Sequence, residues 1–96
     1  MSVASRTVVT NEAVEAEIFE LLARRAPGAS ICPSEVARAL ASAPSDWRAL
    51  MPQVREVAQE LALRRRLLVT RKGARVEAMG QGGPIRLSLL FEKERK

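Results

Sequence analysis

Arg64-Arg65-Arg66-Leu67-Leu68-Val69-Thr70-Arg71-Lys72-Gly73-Ala74-Arg75-Val76-Glu77-Ala78 is the stretch that decides the fold. It closes a helical pattern on three arginines and passes at once into short apolar runs around a Lys-Gly turn. Leu67, Leu68 and Val69 are strand-like, Lys72-Gly73 marks the turn, and Arg75 to Ala78 returns, which predicts a β-hairpin with a basic tip. The charge is concentrated in the same part of the chain. From Arg64 onward ten Lys/Arg face Glu77, Glu92 and Glu94, a net of +7, whereas residues 1–63 carry six Arg against eight acids, a net of −2. A local excess of this kind describes a patch rather than general solubility.

Upstream, three helical patterns precede the hairpin. Asn11 is the expected N-cap of the first, with Glu12, Glu15 and Glu17 where the helix dipole favours anions. Val14, Ile18, Leu21, Leu22 and Arg25 recur at helical spacing, with Ile18, Leu21 and Leu22 as the core stripe, Glu20 and Arg24 make an outer i,i+4 pair, and Pro27-Gly28 stops the helix. Ala29-Ser30-Ile31 is long enough for one or two sheet pairings. Pro33 suits the first residue of a second helix, whose buried face is Val36, Ala37, Leu40 and Ala41. The third helix starts near Asp46. Its stripe Trp47, Met51, Val54, Ala58 and Leu61 is expected to be largely buried against Ile18, Leu22, Val36 and Leu40. Pro52 interrupts that pattern, so either a kink near Met51 or a short turn at 46–51 followed by a new helix is expected. Beyond the hairpin, Ile85, Leu87, Leu89 and Phe91 alternate with polar neighbours as a strand with one buried face.

Three helices, a short strand between the first two, and a terminal hairpin are the element order of a winged helix-turn-helix. The predicted class is mainly α with a small antiparallel β-sheet (α+β), three helices plus a β-hairpin wing. Residues 1–10 read as a flexible N-terminal arm, 11–91 as the winged-helix domain and 92–96 as a charged tail.

Several spaced motifs also carry a resemblance. Cys32-Pro33-Ser34-Glu35-Val36-Ala37-Arg38, Trp47-Arg48 with Leu50-Met51-Pro52 and Val54-Arg55, Thr70 with Lys72-Gly73, and Gly83-Pro84-Ile85-Arg86 resemble a small bacterial winged-helix family that is a domain of unknown function. The resemblance covers about residues 12 to 89. It implies the fold and no activity. One position departs from the pattern: such winged helices usually carry Gly where the third helix turns into the wing, and here Arg65 stands there. A left-handed conformation would cost Arg about 1 kcal/mol more than Gly, so a different helix ending is expected.

Composition narrows the chemistry. The 96 residues make one small domain whose only aromatics are Phe19, Trp47 and Phe91. Cys32 is the single cysteine and there is no histidine, so no internal disulfide forms and no transition-metal site is expected. No catalytic residues, no cofactor and no small-molecule substrate are implied, and enzyme chemistry has little to stand on. No secretory leader or membrane span is evident, and the default expectation is a cytoplasmic protein. Cys32 reads as a capping or buried thiol beside Pro33. Gly80-Gln81-Gly82-Gly83-Pro84 lacks the lysine and the strand–loop–helix setting of a phosphate cradle.

The expected partner is DNA, of unknown sequence. Arg64, Arg65, Arg66, Arg71, Lys72 and Arg75 are the candidates for phosphate contact. Arg48, Gln53, Arg55 and Gln59 are the candidates for the groove, because Arg suits guanine and Gln suits adenine. Glu56 and Glu60 on the same helix would repel phosphates, which favours non-specific contact over sequence reading. The competing expectation is a protein-interaction module with no nucleic-acid role, and a weak homodimer through Leu89, Leu90 and Phe91 is a further possibility. Arg86 is left open between pairing an acid such as Glu35 and joining the basic surface.

Overall fold

The computed structural model of the chain describes residues 8–26, 28–79 and 83–90. Helix α1 (Asn11–Ala23) begins one residue earlier in its capping than the sequence suggests. Thr10, not Asn11, is the N-cap: its backbone is extended and its Oγ1 accepts the Ala13 amide at 3.0 Å. The two side chains compete for the same job, and a residue already in helical conformation cannot cap. Val14, Ile18 and Leu22 bury one stripe of α1. Gly28 then turns the chain with a positive φ of 89° into β1 (Ser30–Ile31).

Helix α2 (Pro33–Leu40) has Pro33 at its first turn, where the missing N–H would have been unpaired anyway. Glu35 reaches back to accept the Cys32 amide at 2.9 Å, and the Ser34 hydroxyl donates to Cys32 Sγ at 3.2 Å. Cys32 is therefore a capping residue, partly buried.

Helix α3 (Trp47–Leu63) runs unbroken through Pro52. Of the two alternatives, the turn at 46–51 with a new helix from Pro52 does not occur. Pro52 lies in the second turn on the exposed side, so its ring meets solvent, and only the Arg48 carbonyl loses its helical donor. Val54, Val57, Ala58 and Leu61 are buried. Trp47, Met51 and Leu40 are partly buried and pack against this core, so the stripe is largely buried as expected, least completely at its first turn. The core sits over the last three turns of α3, and the first turn projects past its rim.

The end of α3 is a Schellman turn. The Arg66 amide donates to the Leu61 carbonyl at 2.9 Å and the Arg65 amide to that of Ala62 at 3.0 Å, with Arg65 at φ 60°. Arg65 thus adopts the left-handed conformation for which a different ending was expected. Leu67, buried directly after the turn, anchors it.

A four-stranded antiparallel sheet follows from β2 (Leu68–Arg71), β3 (Ala74–Arg75), β4 (Arg86–Ser88) and β1, in the order β1-β4-β2-β3. Lys72 and Gly73, at φ 53° and 85°, form the two-residue turn between β2 and β3. Both left-handed central residues give the turn twist that matches paired strands. The return strand is shorter than expected and ends at Arg75, although the Val76 amide still donates to Val69 at 3.0 Å. Leu87 pairs with both Ile31 and Val69, so three buried side chains line up across the sheet and face the helices. Ile85 is buried as well, while Leu89 is 41% exposed. The intramolecular cover expected for Ile85 and Leu87 is therefore present. Phe91 and the charged tail lie outside the described residues, as do residues 1–7 of the expected arm. Val9 and Thr10, also assigned to that arm, are tied to the domain: Val9 packs on the core and Thr10 caps α1.

The result is three helices on a small antiparallel sheet, in winged-helix order.

Candidate nucleic-acid interface

The basic residues fall into two groups once their partners are known. Among the described residues, Arg24, Arg25, Arg64 and Arg66 are ion-paired. Arg64 meets Glu60 at 3.3 Å within α3. Arg66 reaches Glu15 at 2.7 Å and lies over the Phe19 ring, 5.0 Å from its centroid, so it is drawn toward α1. Of the three arginines at the end of α3, Arg65 alone has no acidic partner among the described residues.

The hairpin divides in the same way. Arg71 is partly buried and its Nη2 donates to the Gly83 carbonyl at 3.3 Å, tying β2 to the start of the last strand. Its Nε is buried without a hydrogen-bond partner among the described residues. Lys72 and Arg75 are exposed at the tip, with no ion pair among the described residues. Arg86 forms no ion pair among the described residues and its side chain is exposed, so the pairing with an acid is absent. Its guanidinium donates to the Ser30 hydroxyl and carbonyl, both at 2.9 Å. Glu35 is occupied by Arg25 and the Cys32 amide.

On α3, the two glutamines proposed to face a groove make bonds within the chain. Gln53 donates through Nε2 to the Val9 carbonyl and to Asn11 Oδ1, both at 2.9 Å, and so fastens the segment before α1. Gln59 Oε1 accepts the Ala78 amide at 2.7 Å, and Ala78 is fully buried. That bond seats the segment after β3 on the third helix. Steps of seven and four residues place Arg48, Arg55 and Gln59 on one side of α3, so the wing docks beside the two arginines. Arg55 is half-buried and Arg48 is exposed, its guanidinium stacked on Trp47 at 4.6 Å from the ring centroid.

The neighbouring side of α3 has the opposite charge. A groove of about 560 Å³ between α1 and α3 is lined by Glu12, Glu15, Glu56 and Glu60, with Arg64 and Met79 at its edge. Leu63, 69% exposed, and Met79, 49% exposed, are apolar surface at the same end of α3. No group of three or more His, Cys, Asp or Glu side chains among the described residues is placed to hold a metal ion. No helix among them is long and apolar enough to cross a membrane.

One cation was missed in the sequence. Arg38, in the last turn of α2, stacks on the same indole as Arg48, 4.4 Å from its centroid. The signal was available: Arg38 and Trp47 flank one short interhelical turn, which brings a helix end and the next helix start together.

A family model described as Protein of unknown function (DUF3253) matches residues 11–90. No curated protein matches the chain.

Proposed function

The chain belongs to this family of unknown function, whose description carries no activity over to it, and from its own geometry we propose a DNA-binding module of regulatory or accessory type. The observation that carries the reading is the Gln59–Ala78 bond, which docks the hairpin on the side of α3 that presents Arg48 and Arg55. Lys72, Arg75 and Arg65, all without acidic partners among the described residues, extend that charge along the wing and its base. Phosphates of a duplex are matched by this pattern, because its cations, all but the half-buried Arg55 exposed, have no acidic partner among the described residues. Arg64 and Arg66 are already paired with acids and Arg71 is tied to the Gly83 carbonyl. Base reading by Gln53 and Gln59 is not part of the proposal, since those amides hold the fold together.

The test is a titration with random-sequence duplex DNA at several salt concentrations. About four or five phosphate contacts predict a slope of log K against log salt near −4, with Kd around 10⁻⁴ to 10⁻⁶ M at physiological salt. Absence of binding at about 50 mM salt would overturn the reading.

A protein-interaction role is favoured by a different observation, the acidic groove between α1 and α3 with Leu63 and Met79 exposed at its end. A basic, partly apolar segment of another protein matches that surface. This reading gains if duplex DNA fails to bind.

A further inference from the structure

Trp47 carries two arginines that come from different helices. The Arg38 guanidinium from α2 lies 4.4 Å from the ring centroid and that of Arg48 from α3 lies 4.6 Å from it. Both arginines are exposed, and neither forms an ion pair among the described residues. Glu35, on the same helix as Arg38, is engaged by Arg25 and the Cys32 amide. Asp46 is the other carboxylate at this turn. Its side chain makes no capping bond among the described residues, and the Ala49 amide donates to the Asp46 carbonyl at 3.1 Å instead.

Stacking on an indole orders a guanidinium but uses only its face. The N–H groups lie in the plane and remain available to acceptors around its rim. Two guanidiniums ordered in this way have already lost much of the side-chain freedom that binding would otherwise remove. Phosphate oxygens are the acceptors that suit such planar forks. A guanidinium held on the ring cannot extend into a groove without leaving the stack, which gives Arg48 a backbone role in place of base reading.

We propose that Arg38 and Arg48, ordered on Trp47, form a phosphate clamp for the backbone of duplex DNA at the turn between α2 and α3, separate from the wing. The inference rests on the DNA-binding reading above. Its consequence is a two-point grip, with one anchor at the amino end of α3 and the other at the Lys72–Arg75 tip.

Trp47 is the only tryptophan of the chain, so its emission reports on this site alone. Adding random-sequence duplex to the full chain at about 50 mM salt should change Trp47 emission, and raising the salt should reverse the change. Arg38→Gln with Arg48→Gln should lower the salt slope by about 2 and abolish the DNA-dependent part of the emission change. Lys72→Gln with Arg75→Gln should lower the slope by a similar amount but leave the emission change in place at saturating DNA. If the first double variant loses its helical circular dichroism, the two single substitutions are compared instead, each expected to lower the slope by about 1. Duplex binding with silent Trp47 emission and an unaltered slope in the arginine variants would overturn the clamp and leave the DNA reading standing. Failure of the unmodified chain to bind duplex at all would overturn both.

Discussion

Gln59 Oε1 and the Ala78 amide meet at 2.7 Å, a side chain of the third helix closing a hydrogen bond to the backbone just beyond the wing hairpin. Ala78 has no exposure to solvent, so its N–H has no water to turn to. Gln59→Leu should therefore cost about 1–3 kcal/mol, the price of leaving a buried donor unpaired. Urea denaturation gives the loss, and amide exchange at Ala78 should accelerate more than exchange in α1. Equal stability of the variant would show that the wing is held by other contacts.

Arg65 occupies a left-handed position at φ 60° that glycine adopts without strain. Arg65→Gly should raise stability by about 1 kcal/mol, read from the denaturation midpoint at constant m-value. The same change removes one unpaired cation and should reduce the magnitude of the salt slope of DNA binding by about 1. A more stable protein with an unchanged slope would confine Arg65 to a structural position.

Trp47 contributes less to stability than a large aromatic in the core would. Its incomplete burial predicts a cost of about 2–3 kcal/mol for Trp47→Ala, since most but not all of the ring's surface is hidden. Leu61→Ala, at a fully enclosed site, should cost about 3 kcal/mol or more. Thermal melting followed by circular dichroism compares the two, and a larger loss at Trp47 would contradict the arrangement described here.

Leu89 follows β4 with 41% of its surface exposed, and Leu90 beside it is half-buried. If this edge mediates weak self-association, Leu89→Ser should shift sedimentation of the concentrated protein toward the monomer without lowering its melting temperature. Identical sedimentation of both chains, at every concentration, would remove the dimer from consideration.

The architecture was readable because its signals are local. Periodic apolar positions marked Val14, Ile18, Leu22, Val54, Ala58 and Leu61, and Lys72-Gly73 marked the hairpin turn. What could not be read depends on neighbours far apart in the chain. Whether Arg66 faces a ligand or Glu15 is decided across 51 residues, and the partners of the two glutamines of α3, at Val9 and Ala78, lie in segments that helical period does not place. How completely Trp47 is covered is not legible for a related reason. A helical stripe predicts which side of α3 is apolar but not where along the helix the covering elements stop. Arg65 shows the reverse case, where a local rule was overridden because Leu67 and the Schellman bonds hold the turn.

The sheet order has a consequence for how the chain comes to be folded. Among the described residues β1 pairs only with β4, so Ser30 and Ile31 must wait for Ser88 and Leu87, which are made more than fifty residues later. During synthesis the three helices emerge from the ribosome with Ile31 uncovered and with the neighbour of Val69 still missing. Loop closure over that distance has to be met before the pairing rewards it. Nascent chains stalled before Arg86 has emerged should remain open and sensitive to protease, and those carrying Ser88 clear of the exit tunnel should close in one step.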